Sequence, residues 1–94
     1  MGKKKRKISR LFLTLQEERH NTRKRGMILN DFIEGRVGVL RLDDWMQLYE
    51  IFENHYVRNR ILRCVRMNIQ SGHIFLGSQS VERSRIQFLS KVFK

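Results

Sequence analysis

The chain has no proline and a single cysteine, Cys64, in 94 residues. One cysteine excludes an intrachain disulfide and fits a reducing compartment. It also leaves no zinc-ligand spacing, because His20, His55 and His73 lie far apart in the sequence. Without proline, turns fall to Gly, Asn and Ser. No apolar run is long enough to span a bilayer, and the opening lysines lead into no continuous apolar segment of the secretory kind. Arg6 stands where a myristoylation pattern after Gly2 needs Ser or Thr. There is no Gly-rich phosphate loop, no serine elbow and no paired-carboxylate motif. No enzymatic activity, cofactor or metal site is therefore expected.

Carboxylates are scarce as well. Nine Asp and Glu face 20 Lys and Arg, for a net charge of +11. A small protein this basic is built to meet a polyanion, either nucleic acid or an anionic membrane surface. The charge is uneven. Residues 1–25 carry ten basic and two acidic residues, residues 26–57 two and six, and residues 58–94 eight and one. Two basic segments thus flank an acidic middle.

That middle holds the clearest folding signal. Trp45, Leu48, Tyr49, Phe52 and Tyr56 fall at helical spacing and predict a central helix over about 43–58. Asp43 is read as its N-cap, with Asp44 favoured by the helix dipole. Either could ligate a metal in principle, but a cap is the preferred role at a strand-to-helix junction. His55 is read as a partly buried packing residue.

Elsewhere the apolar residues alternate. Leu11, Leu13 and Leu15 favour a strand over 8–18, although Ile8, Leu11, Phe12 and Leu15 fit a helix equally well. A basic loop over 19–26 would join it to a second run, 27–34, with Gly35 supplying a tight turn. Residues 36–42 read as a strand, and Ile61, Val65, Met67 and Ile69 as another. Ser71-Gly72 would close a hairpin to Ile74–Leu76. Ser78 or Ser80 would cap a second, C-terminal helix over about 80–93, with Val81, Phe88, Leu89 and Val92 inside and Lys91 and Lys94 suiting its negative end. The expected fold class is α+β: an antiparallel sheet packed against the central helix. Residues 1–7 form a flexible basic arm, and 8–94 a single small domain.

The basic residues are the candidate site. Lys3, Lys4, Lys5, Arg6 and Lys7 form the arm, which either tethers phosphates or resembles a compact nuclear-import signal of the polyomavirus large T antigen type. The latter would imply a nuclear location in a eukaryotic or viral setting, and a cytoplasmic one is expected otherwise. Arg10, Arg23, Lys24, Arg25, Arg36, Arg41, Arg58, Arg60, Arg63 and Arg66 would contact nucleic acid from the folded part, since phosphate contacts supply most of its affinity. Phe12, Phe32 and Phe75 would be core. Phe32, sharing a parity with Asn30 and Glu34, is the choice if one of them stacks on bases.

Residues 9–56 also resemble one repeat of the PUR-alpha type, related to the Whirly and positive-cofactor coactivator folds. The matching stretches are L-F-L-T-L-Q-E-E at 11–18, R-K-R-G at 23–26, M-I-L-N-D-F-I-E-G at 27–35, V-G-V-L-R-L at 37–42 and F-E-N-H-Y at 52–56. The resemblance implies antiparallel strands before a helix, with single-stranded DNA or RNA bound on the sheet. The resulting expectation is a non-enzymatic binder of single-stranded DNA or RNA. The alternatives are a viral or ribonucleoprotein assembly protein whose basic flanks coat RNA, and a peripheral membrane binder. A homo-oligomer is left open, and a membrane partner is not expected.

Overall fold

The computed structural model describes residues 7–76 and 82–94. Among them there is no strand. Five helices follow one another: α1 Lys7–Glu17, α2 Thr22–Ile33, α3 Leu42–Ile51, α4 His55–Gln70 and α5 Arg83–Val92. The expected α+β fold with its antiparallel sheet is overturned, and so are the strands implied by the PUR-alpha resemblance. The described residues fall into two compact units, divided between Val39 and Leu40.

In the first unit, α1 buries Ile8, Phe12 and Leu15, and α2 buries Ile28, Leu29 and Phe32. Ile8, Phe12 and Leu15 are four and three apart, and Phe32 lies four and three past the adjacent Ile28 and Leu29, so each set makes one face of a helix. Leu13, which completed the apparent alternation, is left exposed. Phe12 and Phe32 stack on each other at 5.5 Å between ring centroids. Neither is therefore open to a base, which reverses the choice of Phe32 as a stacking residue.

Helix α2 is delimited at both ends by local chemistry. The Asn21 side-chain oxygen accepts from the Lys24 N–H at 3.0 Å, an N-cap. At the other end Gly35 has φ of +80°. Its N–H donates to the Phe32 carbonyl while the Arg36 N–H donates to the Asp31 carbonyl. This is a Schellman closure, which needs a left-handed residue after the last helical turn.

In the second unit the expected central helix is two helices. Helix α3 ends at Ile51, and Phe52-Glu53-Asn54 separates it from α4. Asn54 breaks the run because its side-chain oxygen accepts from the Val57 N–H at 3.1 Å and starts a new helix. Trp45, Leu48 and Phe52 are buried as expected, but Tyr56 is 80% exposed on the far side of that break. His55, the first residue of α4, is exposed rather than packed.

The start of α3 also differs. Arg41 is the N-cap residue. The buried Asp44 carboxylate accepts from the Arg41 backbone N–H at 2.8 Å, which is the reciprocal half of a capping box. Asp43 does not cap. It receives both Nε and Nη2 of Arg85, at 2.9 and 2.7 Å, so it ties α3 to α5.

Helix α4 buries Ile61 and Val65, with Ile69 half-buried at the next step of four. It closes as α2 does. Gly72 has φ of +86°, its N–H donates to Ile69, and the His73 N–H donates to Asn68. The Ser71-Gly72 stop is real, but it ends a helix and makes no hairpin. Phe75 lies beyond it, 88% exposed, on no sheet. Helix α5 buries Phe88 and Val92 of the inner face expected of it, and Leu89 is half-buried. Ser78, Ser80 and Val81 lie outside the described residues.

Candidate functional site

Helix α4 is unusual in its charge. Its sixteen residues include Arg58, Arg60, Arg63 and Arg66 and no acidic residue. Spacing of three and two residues spreads these four around the axis, so they meet different surroundings.

Arg58 faces inward. Its Nε donates to the Tyr49 carbonyl at 3.1 Å and also to that of Phe52. Those groups belong to the C-terminal end of α3, where carbonyls have no partner within the helix. Its guanidinium also lies over the Tyr49 ring, 4.5 Å from the centroid. Arg58 thus fastens α4 to α3.

Arg63 and Arg66 face a groove within the second unit. It encloses about 520 Å³ and is lined by Tyr49, Asn59, Leu62, Arg63, Arg66, Lys91, Val92 and Lys94. Four cationic side chains and no Asp or Glu line it. Lys91 also stands over the Tyr49 ring at 5.4 Å, and that ring and Phe88 meet edge to face. Arg60 lies outside the groove, exposed on α4.

The remaining candidates are placed elsewhere. Arg36 bonds Asp31 at 3.1 Å and also meets Glu34, both on its own helix end. Those carboxylates raise its pKa, the Asp31 hydrogen bond foremost. Arg41 lies 3.8 Å from Asp44. In the first turn of α2, not on a loop, Lys24 is 3.8 Å from Glu18 and Arg25 donates to the Arg19 carbonyl at 3.2 Å. Arg23 and Arg10 are exposed on α2 and α1. Lys7 opens α1, and Lys3, Lys4, Lys5 and Arg6 lie outside the described residues.

Sequence reasoning therefore named two of the groove's four cations, Arg63 and Arg66, and missed Lys91 and Lys94 along with Asn59 and Tyr49. Lys91 and Lys94 had already been accounted for by the helix dipole. Their three-residue spacing at the end of a short helix was the available signal.

Cys64 is half-buried on α4, and burial pushes its thiol pKa up. Asn68 donates to its carbonyl at 2.7 Å and approaches its Sγ at 3.4 Å. Among the described residues no three His, Cys, Asp or Glu side chains converge as a metal site would require, and no helix is long and apolar enough to cross a membrane. No family model, curated protein or solved structure matches the chain.

Proposed function

We propose that the protein binds nucleic acid without catalysing a reaction, through α4 and the adjoining groove. The observation that carries this reading is the groove lining: Arg63, Arg66, Lys91 and Lys94 beside Tyr49 and Asn59, with no Asp or Glu among them. Four like charges around one concavity repel each other, and a polyanion relieves that repulsion. Its phosphates would replace the counterions now held there, so affinity falls as salt rises. Asn59 adds a neutral donor and acceptor within the same groove.

The sheet on which single strands were expected to lie is gone, and the basic helical surface replaces it. The test is fluorescence anisotropy with labelled oligonucleotides across a salt series. Binding with a steep salt slope is expected, and the Arg66→Ala/Lys94→Ala double variant should reduce that slope by about 1.5–2. Association with anionic vesicles but with no oligonucleotide would replace this reading with a membrane-surface one.

A further inference from the structure

Resting on that reading, we infer that the polymer is duplex DNA and that α4 enters its major groove. The outward stripe of α4 runs Tyr56, Asn59, Arg60, Arg63, Met67, in steps of three and four with one single step. Tyr56 is 80% and Met67 62% exposed. The opposite side is held by Ile61, Val65 and Arg58, the last bonded to the end of α3. A short helix, α3, thus leads through a three-residue link into the longer α4, which is held by one side and presents the other. The whole helix is about 24 Å long at 1.5 Å per residue, and the stripe from Tyr56 to Met67 spans about 17 Å of it.

The occupant is argued from fit and charge. A helix about 10–12 Å across matches the width of the B-form major groove, whereas the A-form RNA groove is too narrow and deep to admit it. A single strand asks instead for open aromatic faces. Tyr49, the aromatic residue lining the groove, already has its ring engaged by Arg58, Lys91 and Phe88, and Tyr56, open at one end of the stripe, is the one Phe, Tyr or Trp of α4, so no second ring on the helix stands ready for the next base.

Arg60 and Arg63 have the planar fork that reads guanine O6 and N7, and Asn59 the amide that reads adenine N6 and N7. In the free protein the Asn59 amide rests against the His55 ring at 3.2 Å, an exposed contact that base binding would exchange. Arg66, Lys91 and Lys94, beside the stripe, would then take the phosphates along one edge of the groove.

The test starts from a duplex of about 20 base pairs enriched by the full chain from a random pool, a length that exceeds the helix. Four labelled versions are compared: the DNA duplex, the same duplex with 7-deazapurines, the RNA duplex of that sequence, and each DNA single strand. The DNA duplex should bind at least about ten-fold tighter than the RNA duplex or the single strands. Removing purine N7 should weaken it at least about five-fold. Arg60→Ala/Arg63→Ala should abolish that N7 sensitivity with its helical circular dichroism unchanged, while Arg10→Ala should retain the sensitivity. Failure of any sequence to enrich, equal binding of the 7-deaza duplex, or equal or tighter binding of single strands or RNA would each overturn the inference. Absence of binding to every polymer would instead remove the broader proposal.

Discussion

Single residues in this protein show how little a side chain's type says about its task. The arginines divide into three kinds. Arg36 and Arg85 hold carboxylates. Arg58 satisfies helix-end carbonyls. Arg60, Arg63 and Arg66 project from α4, the last two into the groove. The Arg85–Asp43 pair has a consequence that can be measured. Hydrogen bonding to Arg85 is the main cause that lowers the Asp43 pKa, set against a smaller opposing effect of burial. A depressed carboxylate stabilises the fold above its unfolded pKa of about 3.9, and that contribution is lost as the pH falls through the lower, folded value. Asp43 is more than half exposed, so solvent screens most of the gain. Asp43→Asn should therefore cost less than about 1 kcal/mol at pH 6. In urea titrations the gap between the variant and the parent should close below about pH 4, on the acid side of the unfolded carboxylate.

Helices α2 and α4 begin at asparagines and end at glycines. Asn21 and Asn54 each accept a first-turn N–H, at 3.0 and 3.1 Å. Gly35 and Gly72 each take a positive φ just past a helix. The same residue types start and stop strands, which is why a turn at Gly35 and another at Ser71-Gly72 were legible while the helices beside them were not. A hairpin and a Schellman closure both need a residue free to adopt positive φ. Gly72→Ala should lower stability by about 1–2 kcal/mol, the cost of a left-handed alanine. Open space around the added Cβ leaves strain as the sole cause. Gly26, inside α2 and equally open, is the opposite case. Gly26→Ala should raise stability by about 0.5–1 kcal/mol, because the unfolded chain loses freedom it no longer has to give up. Urea midpoints of the two variants against the parent check both signs.

At the scale of the whole molecule, the charge of +11 in 94 residues dominates. Like charges on a small fold oppose its compact state, and a polyanion that binds only the folded form removes that penalty. With free duplex at 100 times its dissociation constant, the unfolding free energy should rise by about 2.7 kcal/mol. Thermal melts with and without duplex would show it, and repeating them at high salt should erase the difference.

The sequence by itself determined the charge distribution, the two glycine stops, the buried face of Trp45, Leu48 and Phe52, and the inner face of the last helix. Those are local properties: composition, backbone freedom at glycine, and apolar spacing with one period to choose from. It did not determine the period over 8–18 or 61–70. Leu11, Leu13 and Leu15 satisfy a step of two, and Ile8, Phe12 and Leu15 satisfy steps of three and four. Packing chose between them by burying the second set and leaving Leu13 outside. Tertiary structure also decided which cations are engaged by their neighbours. Residues 42 apart, Asp43 and Arg85, neutralise each other, while Arg63 and Arg66 meet Lys91 and Lys94 across a groove. The basic patch therefore depends on how α4 and α5 fold together, because the repulsion that invites a polyanion exists only once those four charges share one concavity.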